Sequence, residues 1–214
     1  MKKRKMLWMG AGLIAVFVLW TVLISVVDVR AIGPNGSSVG FATLNRYVHD
    51  LTGMNMRLYS ITDWLGLVPI GVALGFAMLG LVQWIKRKSL FKVDRGILAL
   101  GGFYVAVMVV YILFEFVIIN YRPTLIDGYL EASYPSSTTM LVMCVMPTAM
   151  MQLRTRIKNN GLKQCVMILI AVFISFMVVG RFVSGVHWIT DIIGGALVSA
   201  GLVIMYASVS DIHK

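Results

Sequence analysis

A histidine four residues before an aspartate, with an arginine six residues before the histidine, is the densest chemistry in this chain: Arg181, His187 and Asp191. Positions four apart share one face of a helix. Asp191 can therefore hold one imidazole nitrogen of His187 and leave the other free to act as a nucleophile. Arg181 adds a planar cation suited to phosphate oxygens through paired, charge-assisted bonds. Two further segments match this chemistry. Asn120-Tyr121-Arg122-Pro123 supplies a second arginine, and Tyr134-Pro135-Ser136-Ser137-Thr138-Thr139 reads as a helix start, whose free backbone N–H groups favour an anion. Taken singly, His187 reads equally as an interfacial histidine and Arg122 as a headgroup anchor. Taken together, the three segments hold a nucleophile, its orienting carboxylate and a cationic cradle.

The elements that must position these groups follow from composition. Of 214 residues, 59% are hydrophobic and 13% charged, and the mean hydropathy is +0.86. A soluble domain of this length needs more charge to cover its surface, so the chain reads as an all-α, polytopic membrane protein forming one bundle over residues 1–214. Six stretches are long enough to cross about 30 Å of hydrocarbon as helices. They lie near Met6–Val27, Ile61–Ile85, Ile97–Ile119, Ser136–Leu153, Leu162–Val179 and His187–Ser208. The first follows Met1-Lys-Lys-Arg-Lys5 and is too long for a signal-peptide core, so it is expected to stay as an anchor.

The formal net charge of +10 comes in short clusters between apolar runs, with no basic face or nucleic-acid module. Lys2 to Lys5, the cluster from Lys86 to Arg95, the cluster from Arg154 to Lys163, and Lys214 fall on one side if the spans alternate. Arg30, Arg46, Arg57, Arg122 and Arg181 fall on the other. The positive-inside rule puts both termini in the cytoplasm and the three chemical segments outside. Between spans one and two, Phe41 to Leu51 has apolar residues at helical spacing and predicts a short external amphipathic helix. His49, within it, is expected at the interface rather than in the site, and His213 falls in the tail. Asp28, Asp50, Asp63, Asp127 and Glu131 read as ordinary outer-surface charges, and Trp8, Trp64, Trp84 and Trp188 as an aromatic belt. Cys144 and Cys165 read as small buried apolar residues. Gly194-Gly195 predicts close packing of the last span.

The three segments, in this order on one face of six spans, are similar to the motifs of the type-2 phosphatidic acid phosphatase (PAP2) superfamily: K-x6-RP, PSGH and SR-x5-H-x3-D. Here they stand as Glu115 with Arg122-Pro123, as Pro135-Ser136-Ser137-Thr138, and as Gly180-Arg181, His187 and Asp191. The resemblance implies that His187 forms a phosphohistidine, that Asp191 positions it, and that Arg122, Arg181, Ser136 and Ser137 bind the phosphoryl group. It implies no metal and no cofactor. Two positions depart from it: Glu115 replaces a lysine, and Thr138 replaces the histidine that protonates the leaving group.

The expected function is hydrolysis of a phosphorylated lipid at the outer leaflet of a bacterial cytoplasmic membrane. The missing acid favours a substrate with a weakly basic leaving group. A polyprenyl diphosphate such as undecaprenyl diphosphate leaves as a phosphate, whose second pKa is about 6, whereas a lipid monophosphate must expel an alkoxide. Glu115, if protonated, is a substitute acid. The alternatives are a bundle that grips phosphorylated lipids without cleaving them, and a transporter using the same arginines, against which stands the lack of repeated halves. The oligomeric state is not readable.

Overall fold

A computed structural model describes residues 1–210; His213 and Lys214 lie outside the described residues. It contains eight α-helices: α1 Lys2–Val26, α2 Ala42–Thr52, α3 Met56–Leu65, α4 Leu67–Arg87, α5 Arg95–Phe116, α6 Ser137–Arg156, α7 Asn160–Val183 and α8 Ile189–Val209. No strand forms among the described residues; three isolated bridges tie loops together. Most helices end where the apolar run meets turn chemistry or charge, whereas α5 stops at Phe116 with Val117-Ile118-Ile119 still apolar, short of the expected Ile119. Asn55 caps α3 by accepting from the backbone N–H of Leu58 at 3.0 Å, and Asn159 caps α7 by accepting from that of Leu162 at 2.9 Å.

Among the described residues, five helical segments are long and apolar enough to cross a membrane: Lys3–Val26, Met56–Arg87, Arg95–Phe116, Asn160–Val183 and Ile189–Val209. The second is α3 running into α4 through Gly66 and begins earlier than the expected Ile61. The expected fourth span, α6, is a 20-residue helix but not among the five. Its sequence explains this: Thr138, Thr139, Thr148 and Gln152 are buried along it, and Arg154 and Arg156 close it. The other helices shield it: α6 packs against α4, α5, α7 and α8, and α1 covers α8. Polar residues are tolerated there because neighbouring helices, not lipid, surround them.

The expected amphipathic helix forms as α2. Leu44, Tyr47 and Leu51 point away from the protein, while Ala42 and Asn45 are buried against it. Asn45 docks it by donating to Thr190 Oγ1 at 3.0 Å and to Gly40 O at 2.8 Å.

The two ends of the bundle differ in chemistry. At one end Asp94 pairs with Arg87 at 3.0 Å and Arg156 at 3.5 Å, and accepts from Gln83 Nε2 at 2.9 Å. These contacts hold its carboxyl below the usual range, the Gln83 bond first among them, and clamp the α4–α5 turn to the end of α6. At the other end Tyr134 anchors the start of α6. Its ring stacks on Phe17 at 6.1 Å and meets Phe114 edge-on at 5.6 Å. Its hydroxyl shares a 2.7 Å hydrogen bond with Thr21. Two sequence readings are corrected here. Trp188 is buried, donating to Tyr121 O at 2.8 Å, because its ring fills the space between the α5–α6 loop and α8. Cys165 is exposed, because it lies on the outward face of α7, while Cys144 is buried in α6.

Candidate active site

The three chemical segments meet at the Tyr134 end. Asp191 sits in the first turn of α8, fully buried. Its Oδ2 accepts from the Trp188 backbone N–H at 3.0 Å and its Oδ1 from Asn120 Nδ2 at 3.2 Å. Asn120 thereby ties the α5–α6 loop to α8. Asp191 O accepts from the Ser136 backbone N–H at 3.0 Å, which brings the start of α6 against α8. The close approach needs Gly194: a Cβ there would lie 2.4 Å from the Tyr134 ring.

His187 precedes α8 with a side chain only 1% exposed. Its Nδ1 lies 3.8 Å from Asp191 Oδ2, too far for a hydrogen bond but within electrostatic reach. Its Nε2 accepts from Arg122 Nη1 at 3.2 Å, which leaves the ring proton on Nδ1. Burial pushes the imidazole down to about 4; Asp191 pulls it back and Arg122 pushes it further, so the ring is neutral at pH 7. The loop carrying it is braced from outside, where His49 Nε2 meets Gly185 O at 3.1 Å. Gly185 has a φ of +68°, and a Cβ there would sit 2.0 Å from Gly53 O. His49 is thus a brace for the site loop, not a member of the site.

Both arginines are in place, and both have protein partners that the sequence reading treated as surface charges. Arg122 Nε lies 3.0 Å from Glu131 Oε2, off the N–H axis, and the Arg122 backbone N–H donates to Glu131 O at 3.0 Å. Arg181 Nη2 donates to Asp63 Oδ1 and to Thr138 Oγ1, each at 2.8 Å. Arg181 Nη1 reaches Thr62 Oγ1 and Tyr59 O, each at 3.3 Å. Glu131 and Asp63 are therefore corrected from ordinary surface charges to arginine partners, because folding brings the α5–α6 loop and α3 over the two guanidinium groups. Both guanidiniums also lie over one ring: Arg181 is 4.6 Å and Arg122 6.0 Å from the Tyr59 centroid.

Five buried polar side-chain atoms here have no hydrogen-bond partner in the protein: Nε of Arg122, Nε of Arg181, Oγ of Ser136, Oγ1 of Thr139 and Nδ1 of His187. Most are donors, which suits an incoming acceptor such as a phosphoryl oxygen. Ser136 is the N-cap of α6 and its backbone N–H is already spent on Asp191 O, so its hydroxyl rather than its amide is free. The open backbone N–H groups belong to the next residues, beginning with Ser137.

A cavity of about 540 Å³ opens beside this cluster and is lined in part by His187, Arg122, Ser137, Glu115 and Glu131. Glu115 stands in the last turn of α5, one turn beyond Tyr111, and lines this cavity without an ion pair to either arginine among the described residues. A second cavity of about 570 Å³ shares Tyr111, Ser137 and Met140 with the first, but its wall is apolar, with Ile70, Leu74 and Val107 among its residues. A polar chamber thus continues into an apolar groove between α4, α5 and α6. Among the described residues no three His, Cys, Asp or Glu side chains gather into a metal site.

The PAP2 superfamily profile matches residues 102–213, which include all three chemical segments. The chain belongs to the PAP2 superfamily. Tyr59, Thr62, Asp63 and Asn45 lie ahead of the matched region. No curated protein matches the chain in sequence. Its fold is similar to that of a transmembrane PAP2-type phosphatidylglycerolphosphate phosphatase from Bacillus subtilis, with a TM-score of 0.59, covering 96% of this chain and 97% of that one. At 20% identity this likeness speaks to the fold alone. It agrees with the apolar helices in making the chain a multi-pass membrane protein.

Sequence reasoning gave no role to Tyr59 or to Asn120 and read Asp63 and Glu131 as surface charges. Asp63 carried a readable signal, since an acidic residue at the start of an apolar run is costly without a partner. Glu131 carried none, since the pairing depends on how a loop folds back.

Proposed function

We propose that this PAP2 protein is a membrane lipid phosphatase that cleaves a phosphorylated lipid through a phosphohistidine on His187, with a polyprenyl diphosphate such as undecaprenyl diphosphate as preferred substrate. One observation carries the reading: a neutral, buried imidazole touches Arg122 at the wall of a polar chamber that continues into an apolar groove. An incoming phosphoryl group takes Arg122 and Arg181 from their carboxylate partners, and Arg122 uncovers Nε2. Nε2 attacks the terminal phosphorus, and Asp191 steadies the cation that develops on the ring. The lipid monophosphate departs as an anion and needs no proton, which suits Thr138 in place of an acid. Ser136, Ser137 and the arginines hold the equatorial oxygens, and the lipid chain lies in the groove.

We place α6 across the membrane with the five apolar helices, giving six spans in one bundle. Both termini, with the Arg87, Asp94 and Arg156 cluster, face the cytoplasm and the site faces outward. The distribution of lysine and arginine supports this, in a bacterial plasma membrane.

Phosphate release from undecaprenyl diphosphate and from its monophosphate, with His187→Ala as control, tests the proposal. Diphosphate-selective release that vanishes in His187→Ala supports it. One observation favours a second reading, binding without cleavage: Thr138, which donates no proton at neutral pH, stands against Arg181 where the family has its acid. That reading requires lipid binding with no phosphate release, restored by Thr138→His.

A further inference from the structure

The phosphohistidine reading leaves one proton unassigned. After the lipid leaves, water attacks the phosphorus; a P–O bond forms, the P–Nε2 bond breaks, and the water loses a proton. Few groups can take it. Asp191 is committed to Trp188 N and Asn120, and the Thr138 hydroxyl is no base near pH 7. Glu115 makes no hydrogen bond or ion pair to Arg181 or Thr138 among the described residues. Glu131 is bound to Arg122, the arginine that touches Nε2. It therefore sits beside the nucleophile, whereas displacement in line brings the water to the face opposite Nε2.

We infer that Asp63 is the general base of this second step, standing in from α3 for the side chain that position 138 lacks. Arg181 Nη2 bonds Asp63 Oδ1 and Thr138 Oγ1 at once, each at 2.8 Å, so one guanidinium nitrogen joins the carboxylate to the position where the family has its histidine. The charges facing Asp63 are those of Arg181, with Arg122 and Glu131 beyond the Tyr59 ring. Asp63 Oδ1 accepts from Arg181 Nη2 at 2.8 Å and is released when the phosphoryl group draws Arg181 away, which frees a carboxylate oxygen to take a proton. Its side chain is 56% exposed, so water reaches it and the proton it gains returns to solvent. The balance closes: phosphohistidine and water give phosphate, neutral His187 and protonated Asp63, which then loses its proton. The machinery thus holds a base without an acid, which restricts efficient turnover to substrates whose leaving group needs no proton.

The test is rapid-quench kinetics on the full-length protein in detergent, with polyprenyl diphosphate labelled at the terminal phosphate. In Asp63→Asn, one equivalent of lipid monophosphate is released at the normal rate. Turnover then falls by a factor on the order of 10², an acid-labile phosphoenzyme accumulates, and added formate restores turnover. In the unmodified protein, a solvent deuterium isotope effect falls on the second half-reaction and not on the first. Asp63→Asn slowing the first equivalent as much as turnover, with no phosphoenzyme, overturns the inference and leaves Asp63 as a holder of Arg181. An equal isotope effect on both halves also overturns it. A His187→Ala protein that still turns over overturns the phosphohistidine reading itself, whatever Asp63 does.

Discussion

Arg122 Nη1 donates to His187 Nε2 across 3.2 Å, so the lone pair best placed for attack is covered by one of the cations that would receive the phosphate. Burial keeps the ring neutral, and the contact holds its proton on Nδ1, toward Asp191. In the proposed reaction the anion that draws Arg122 away also uncovers the nucleophile.

That buried imidazole makes stability pH-dependent. Its value in the fold is about 4 against an ordinary 6.5, so below pH 6.5 the unfolded chain binds the extra proton. Stability therefore falls as pH drops from 6.5 toward 4 and gains nothing above 6.5. At pH 5 the loss is about 2 kcal/mol. Thermal unfolding in detergent at pH 7.5 and 5.0 should show a larger drop for the wild type than for His187→Asn. Equal drops would mean the imidazole protonates readily in the fold.

Glu131 competes for the same cation that a phosphate needs. Glu131→Gln should tighten orthovanadate binding by roughly 2- to 5-fold at low salt, the size expected for a partly exposed ion pair. Inhibition assays on the two proteins would decide it, and weaker binding in Glu131→Gln would make the carboxylate a positioner of Arg122.

Tyr59 contributes its ring face. Tyr59→Phe should leave orthovanadate affinity unchanged, whereas Tyr59→Leu should weaken it roughly 5-fold, as for a cation–π contact of ~1 kcal/mol. Equal losses in both would point to the hydroxyl instead.

Gly194→Ala drives a methyl group into the Tyr134 ring, 2.4 Å away. Overpacking of this kind costs about 1–3 kcal/mol, and the displaced segment includes Ser136, so both melting temperature and phosphate release should fall. Gly75→Ala, in α4 with nothing within 4 Å of the new Cβ, should instead stabilise slightly. Circular-dichroism melts of the two variants separate these outcomes.

What the sequence disclosed depended on how far each contact reached along the chain. The run from Arg181 to Asp191 was readable because the last turn of α7, one short loop and the first turn of α8 hold all three residues within eleven positions. The apolar helices were readable because lipid-facing surface demands long apolar runs, as in α7. The partners of the arginines were not: Asp63 reaches Arg181 across 118 residues, and Asn120 reaches Asp191 across 71. Trp188 misled for a related reason. A tryptophan at a helix end reads as a belt residue, and only the folded α5–α6 loop turns it inward to Tyr121 O.

The polarity of α6 bears on how the protein is made. A helix carrying buried Thr138, Thr139, Thr148 and Gln152 is a poor candidate for entering lipid unaided as the nascent chain emerges. Two of the neighbours that satisfy it, α7 and α8, are synthesised after it. Ribosome-stalled intermediates ending before residue 160 should leave α6 accessible to aqueous cysteine reagents, and intermediates that include α8 should not. Biogenesis would then wait on the C-terminal hairpin, and a premature stop there would cost the membrane insertion of the segment that carries Ser136 and Ser137.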